Sequence, residues 1–501
     1  MLTAIRRGIV VGIGIVLQIL LSLMVLLFFS SRIAWIEAAY RILGVLLVLA
    51  IVKRSRRLSA DLPWIIIILV FPIIGALLYV IIGNNLRRSQ TMKRILKSTE
   101  ENAHYLKPDK EAQQLIEAHE LDQLKYLTDC AGFPATLGND VKYYPLGDDV
   151  YPVMLEALEK AEKFIFMEYF IIRKGQLWQN FLDILERKAR EGVDVRVVYD
   201  DLGSLAMLPK NYPKELEARG IKCFAFNRLG PVQGVMMNNR DHRKMTIIDG
   251  HTVFSGGINL ADEYINVTHP HGEWKDNGIM IKGPAVWSYT VMFLTMWNAF
   301  RPEDADFTTF RHDFDRGPAS EGLVVPYGDS PLDDEIVGEN VYLNIINQAR
   351  RYVWIYTPYL IIDSDMINAL ILAASRDVDV RIVVPGIPDK KLVFAVTSSY
   401  FEPLVKGGVK IYTYTPGFVH SKVFVCDDSI ATVGTINMDY RSLYLHFENG
   451  NYLYGVDAVA DVKADLEAAF SRAHRITERE ATPRFIRGVG QSVLRLVAPL
   501  M

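Results

Sequence analysis

Two short polar sets recur in the chain with the same internal spacing. The first is His242-Arg243-Lys244, followed by Asp249 and by Gly256-Gly257-Ile258-Asn259. The second is His420-Ser421-Lys422, followed by Asp427 and by Gly434-Thr435-Ile436-Asn437. In both, Lys follows His by two residues, Asp by seven and Asn by seventeen. Residues two apart on a strand share a face, so each His projects beside its Lys. A solitary H-x-K reads as a solvated strand face; two copies in register do not.

These residue types suit displacement at a phosphodiester. A neutral imidazole can attack phosphorus and hold it covalently, dividing one hard step into two. A second imidazole can protonate the departing alkoxide and later deprotonate an incoming alcohol. Lysine and asparagine supply charge and N–H donors for the phosphoryl oxygens. The catalytic candidates are therefore His242, Lys244, Asp249, His420, Lys422 and Asp427, with Asn259 and Asn437 binding the substrate phosphate. This chemistry calls for no metal and no cofactor. A nucleophilic imidazole also needs an acceptor that fixes its tautomer. Asp276, 34 residues after His242, and Glu448, 28 after His420, sit in the comparable contexts Trp274-Lys275-Asp276-Asn277 and His446-Phe447-Glu448-Asn449. Each is expected to orient a histidine.

The elements that must position these side chains repeat as well. From about residue 100, helix-like stretches such as 151–162 and 176–191 alternate with short β-branched runs such as 193–200 and 245–248. Gly192-Val193-Asp194-Val195-Arg196-Val197-Val198 returns as Asp377-Val378-Asp379-Val380-Arg381-Ile382-Val383, and Gly220-Ile221-Lys222-Cys223-Phe224 as Gly408-Val409-Lys410-Ile411-Tyr412. An offset that long is no solenoid period. It predicts an α/β protein of two homologous lobes, each a mixed sheet flanked by helices: residues 100–301 and 335–483. The acidic, Pro- and Gly-bearing stretch 302–334 reads as a linker with a solvated surface.

Residues 1–99 read as a membrane anchor. The run 9–31 has no charge and is long enough to span a bilayer core. The run 33–52 is weaker, holding Glu37 and Arg41 one turn apart. The run 62–83 is interrupted by Pro72 and Gly75 and has basic clusters on both sides, so it either spans or re-enters at Pro72. The expected location is the cell membrane, multi-pass. At the other end, 484–501 mixes Arg484, Arg487 and Arg495 with Phe485, Ile486, Val489, Val493, Leu494 and Leu496, an amphipathic pattern for a helix on the membrane or on the body.

Charge narrows the partners. Residues 1–99 carry thirteen lysines and arginines against two acids, which leaves 42 bases against 56 acids in the remainder. A basic end beside an acidic body suits anionic lipid head groups and argues against nucleic acid. Three cysteines, Cys130, Cys223 and Cys426, lie far apart with no metal-ligand spacing.

H-x-K-x4-D with a downstream G-x-x-N resembles the HKD motif of the phospholipase D superfamily. Ile248-Asp249-Gly250, Asp262-Glu263-Tyr264, Asn437-Met438-Asp439-Tyr440-Arg441-Ser442 and Phe447-Glu448, with Pro63-Trp64 through Gly83, are similar to bacterial cardiolipin synthases. Thr435 keeps the hydroxyl usual in the superfamily at that position; Gly257 fits the cardiolipin synthase subgroup, and His446 stands where that subgroup often has Asn. The resemblance implies one active site shared by two lobes. It implies transfer of a phosphatidyl group between two phosphatidylglycerol molecules with release of glycerol, His242 as nucleophile and His420 as acid and base. Hydrolysis, another alcohol acceptor, or a non-catalytic lipid-binding scaffold are the competing readings.

Overall fold

The computed structural model describes residues 20, 34–55, 58–80, 90–228, 238–314, 322–333 and 335–500. Two compact units are present, and both H-x-K sets fall in the larger one, Ser89–Leu229 with Met237–Ser492.

In that unit the repeated sequence folds into repeated sheets. The first orders its strands Asp140–Tyr144, Gly278–Lys282, Thr252–Gly256, Lys244–Ile248, Phe164–Tyr169, Asp194–Asp200 and Lys222–Phe226. The second orders them Leu323–Asp329, His446–Tyr454, Ile430–Gly434, Val423–Cys426, Tyr352–Tyr356, Asp379–Pro385 and Lys410–Tyr414, then adds Ala473–Arg475. Position for position the two orders correspond. Both are mixed: Phe164–Tyr169, Asp194–Asp200 and Lys222–Phe226 run parallel, as do Tyr352–Tyr356, Asp379–Pro385 and Lys410–Tyr414, while the strands that follow the two histidines are antiparallel to their neighbours. The α/β, two-lobed expectation holds.

The strands that follow each H-x-K are buried on both faces, as are their neighbours. One core joins the lobes: Phe166, Val198 and Ile247 from the first and Val324, Val425 and Val433 from the second meet around the helix Val286–Phe300, whose Tyr289, Phe293 and Trp297 are fully covered. At about 25 cal/mol per Å² of apolar surface removed from water, a shared core of this kind holds the lobes in fixed register. That matters for a site assembled from both.

Two boundaries shift. The helix Gln90–Asn102 belongs to the body: Met92 and Ile95 enter the shared core, and Ser98 Oγ donates to the Thr295 carbonyl at 2.8 Å. The stretch 302–334 is not all linker, because Leu323–Asp329 pairs antiparallel with His446–Tyr454 as the edge strand of the second sheet. The acids around that strand obscure its apolar LVVPY run. Nor is the acidity only a solvated surface, since Asp304 pairs with buried Arg196.

The smaller unit includes 34–55 and 58–80. Among the described residues no helix is long and apolar enough to cross a membrane. The run 9–31 lies outside the described residues apart from Leu20. The run 33–52 forms the helix Ala34–Arg54. The run 62–83 is broken: Leu58–Val70 stops at Phe71 and Pro72–Leu78 begins anew. Proline at the first helical position removes only a donor that would be unsatisfied there. A straight helix would hold residues 67 and 75 about 12 Å apart. A Cβ built on Gly75 would instead lie 2.6 Å from the Ile67 carbonyl oxygen, so the second helix folds back on the first, and glycine permits the approach. Ile51, Ile68 and Tyr79 form the small core of this unit.

Candidate active site

Each histidine stands just ahead of its strand, not within it: the strands begin at Lys244, the last residue of the first H-x-K, and at Val423, just after the second. What positions the histidines is the other lobe. Arg240–Asp241 pairs in parallel with His446–Phe447, and the His242 N–H donates to the Phe447 carbonyl at 2.8 Å. By the same symmetry Gly417–Val419 pairs with Glu273–Lys275, and the His420 N–H donates to the Lys275 carbonyl at 2.8 Å.

The carboxylate partners consequently cross. His242 Nδ1 lies 2.9 Å from both oxygens of Glu448, and His420 Nδ1 lies 2.6 Å from Asp276 Oδ2. Counting from the histidine of the same half points to the opposite pairing. An ionised carboxylate only accepts, so each Nδ1 carries the proton and each Nε2 keeps its lone pair. Burial, partly offset by the carboxylates, lowers both proton affinities: His242 falls well below its usual value and His420 to about 4. Both rings are thus neutral near pH 7, as nucleophilic attack requires. Burial acts against ionisation of Glu448 and Asp276, yet His242 together with His446 at the first, and His420 together with Lys422 and the Asn277 amide at the second, outweigh it, and both are held below the normal carboxylate range.

Lys244 Nζ donates to the His242 carbonyl at 2.6 Å, and Lys422 Nζ stands 2.9 Å from His420 Nδ1. Glu448, Lys422 and Asp276 all act on Lys244, so the two triplets share one electrostatic pocket. Burial lowers Lys244 to about 7 and Lys422 to about 8. A lysine is charged below its pKa, so the cationic clamp weakens as pH rises through this window. The expected alkaline limb of kcat/KM has its midpoint between 7 and 8; a limb near 10 in a pH profile would refute it.

Asp249 and Asp427 do not join this pocket. The strand Lys244–Ile248 carries Asp249 about 16 Å along from Lys244 at 3.3 Å per residue. There its carboxylate accepts from the amides of Glu162, Lys163 and Phe164 at 2.8, 2.7 and 2.8 Å. Asp427 does the same for Arg350, Arg351 and Tyr352 at 2.7, 2.9 and 2.9 Å. Both sit at positive φ, 52° and 51°, a region aspartate tolerates. Their position in the motif reflects anchoring of the neighbouring strand, a correction to the catalytic expectation. Asn259 is partly committed too: its oxygen accepts from the Ile171 amide and its nitrogen donates to the Tyr264 hydroxyl, leaving one N–H for a ligand. Asn437 Oδ1 is buried without a partner.

The family model described as "Cardiolipin synthase, PLD-like domain" matches residues 154–297 and 342–470. The chain belongs to this family. A second model, "Phospholipase_D-nuclease N-terminal", matches residues 42–84. Among the cardiolipin synthase relatives, "Cardiolipin synthase 2" of Bacillus anthracis is 34% identical over 89% of this chain and 88% of its own. "Cardiolipin synthase" of Halalkalibacterium halodurans is 31% identical over 93% and 95%. An uncharacterised protein of Streptococcus mutans is 45% identical over 91% and 99%. The crystal structure of phosphatidylserine synthase from Haemophilus influenzae shares the fold, with a TM-score of 0.56 and 16% identity over 72% of this chain and 93% of that one.

For a PLD-like cardiolipin synthase domain the two halves of the pocket are unequal. Thr435 Oγ1 donates to Glu448, whereas a Cβ at Gly257 would lie 2.0 Å from Asp276 Oδ1. Glycine at 257 makes room for the shorter acid. Gly257→Ala should push Asp276 off His420 and slow turnover about a hundredfold, the scale of a 1 Å misplacement. Thr435→Ser, assayed alongside, should stay within about threefold because the hydroxyl remains. Equal losses would refute the distinction.

The sequence did not reveal the surroundings of the rings. Tyr264, Trp274 and Phe418 enclose His420, and Phe170 lies edge-on to His242 at 4.9 Å. Arg243, between His242 and Lys244, is buried and paired with Glu168 and Asp241. His446 lies 5.5 Å from His242 between ring centroids.

Proposed function

We propose that the protein is a cardiolipin synthase that moves a phosphatidyl group from one phosphatidylglycerol to the terminal hydroxyl of another through a phosphohistidine at His242. The crossed His–carboxylate pairs carry this reading. Nε2 of His242 forms the bond to phosphorus and the bond from phosphorus to the glycerol oxygen breaks; the negative charge of the bound phosphodiester raises the proton affinity of His420, which takes up a proton from solvent on Nε2 and hands it to the departing glycerol. The acceptor hydroxyl then gives its proton to His420 while its oxygen displaces His242. Lys244, Lys422, Asn259 and Asn437 bind the phosphoryl oxygens.

Two features support the assignment of roles. Glu448 meets His242 with both oxygens, suiting a ring that becomes cationic when phosphorylated. Lys422 stands against the ring of His420, suiting one that gains and loses a proton. The aromatic walls supply the water exclusion that transfer needs over hydrolysis. Incubating the detergent-solubilised protein with phosphatidylglycerol alone should give cardiolipin and glycerol in equal amounts. Phosphatidic acid as the main product would replace this reading with a hydrolase, and no turnover would favour a non-catalytic lipid-binding scaffold.

Membrane attachment, with anionic phospholipids as substrates and surroundings, belongs to the same proposal. Ile42, Leu43, Leu46, Leu49, Leu69 and Leu77 are exposed, an apolar surface of the kind that meets lipid. The turn at Phe71 supports a re-entrant 62–83 with both basic clusters on the cytoplasmic side. In a Cys130→Ser background, single cysteines placed after Arg88 and beside Arg54 should both react with an impermeant reagent only from the cytoplasmic side. Labelling from opposite sides would establish a full span.

A further inference from the structure

The transfer reaction proposed above uses no atom of His446, yet the residue occupies the pocket. It is 8% exposed, and neither ring nitrogen has a hydrogen-bond partner. Nδ1 stands 3.6 Å from Glu448 Oε1, beyond hydrogen-bond reach. Leaving two buried ring nitrogens unpaired is costly, on the order of 1–3 kcal/mol for each group. A ligand that takes a nitrogen lone pair would relieve it.

We propose that His242, His446 and Glu448 form a binding site for a divalent transition-metal ion of the zinc type, whose occupancy blocks the nucleophile. One donor atom from each residue lies within 4.8 Å of the others. A tetrahedral shell with metal–ligand bonds of about 2.0–2.1 Å places its donors about 3.3 Å apart. The separations of 2.9 Å from His242 Nδ1 and 3.6 Å from His446 Nδ1 to Glu448 Oε1 bracket that edge. Small side-chain adjustments close the set. Two imidazoles and one carboxylate suit zinc and its neighbours and do not suit magnesium or calcium, which take oxygen donors. Glu448 and Asp276 offset the ammonium groups of Lys244 and Lys422, and the fourth position stays open to water.

The inhibitory consequence follows from the ring's single proton. With the metal on Nδ1, a neutral His242 carries that proton on Nε2, the atom whose lone pair must reach phosphorus. No electrons are transferred and no proton is lost, but attack is prevented. This half rests on the phosphohistidine reading; the binding half rests on geometry alone.

The two halves are tested separately with the full-length protein in detergent. Cobalt(II) added to chelator-treated protein should give the visible absorption of a four-coordinate ion at one equivalent. His446→Ala and Glu448→Gln should each weaken cobalt binding by about a hundredfold or more, the loss of a ligand costing at least what loss of a ligand's supporting partner costs. His420→Ala, which removes the other histidine of the pocket, should keep the spectrum. A wild-type protein without the spectrum, or a folded His446→Ala protein that retains it, overturns the site. Zinc should inhibit cardiolipin formation at the occupancy read from cobalt competition, magnesium should not, and chelator should restore it. Occupancy without inhibition overturns the blocking half. Absence of cardiolipin formation in chelator-treated wild type overturns the proposed function while the cobalt spectrum still reports on the site.

Discussion

His242→Ala and His420→Ala fail differently when the substrate carries a good leaving group. With a nitrophenyl phosphodiester, His420→Ala should release about one nitrophenolate per chain and then stall with phosphorus trapped on His242; His242→Ala should release none. Nitrophenolate departs without a proton, so loss of the general acid is bypassed in the first step. Nothing bypasses loss of the base that activates the acceptor alcohol. With phosphatidylglycerol, whose glycerol leaves as a poor alkoxide, His420→Ala should lose about 10²–10⁴ in turnover, the usual range for general acid–base catalysis. His242→Ala should lose all turnover that passes through a covalent intermediate. Quenched-flow nitrophenolate release and mass mapping of the trapped adduct distinguish the cases. A burst that survives in His242→Ala with the adduct on His420 reverses the roles and leaves the mechanism standing. No adduct in any variant, with no exchange of glycerol into phosphatidylglycerol by wild type, removes the covalent mechanism.

The lobes and the reacting rings were legible because both are written locally. The repeat around Val195 and Val380 encodes one strand and its flanks twice, and the two H-x-K sets lie within a few residues of the strands that follow them. Spacing along the chain carried no such information about partners. Asp276 reaches His420 across 144 residues, and Glu448 reaches His242 across 206, because short parallel bridges join the lobes. Asp249 misled for the opposite reason: its regular distance from His242 marks the length of a strand, and the carboxylate at the far end serves backbone amides. The stretch 484–501 forms the helix Phe485–Val497, which leaves Phe485, Val489 and Val493 exposed. His446 was visible only as a departure from the subgroup, since nothing in its neighbours shows that its ring lies unpaired beside the nucleophile.

The crossing makes an asymmetric prediction for the acids. Glu448→Gln should disable the histidine of the other lobe: a carboxamide can present its N–H₂ to Nδ1, which moves the imidazole proton to Nε2 and removes the attacking lone pair. The comparable Asp→Asn change in a Ser-His-Asp triad costs about 10⁴, and a loss on the order of 10³–10⁴ is expected here. No nitrophenolate burst should remain. Asp276→Asn does the same to His420, which takes no part in attack on an activated substrate, so its burst should persist while cardiolipin formation stops. Both carboxylates are fully buried, and the amides match them in size, so a near-native melting temperature should accompany the kinetic loss. If the carboxylates served the histidines of their own halves, the two acids would exchange phenotypes: Asp276→Asn would lose the burst and Glu448→Gln would keep it. Measured against the histidine variants in the same burst assay, each acid should reproduce the defect of the ring it touches across the lobes, Glu448 that of His242 and Asp276 that of His420.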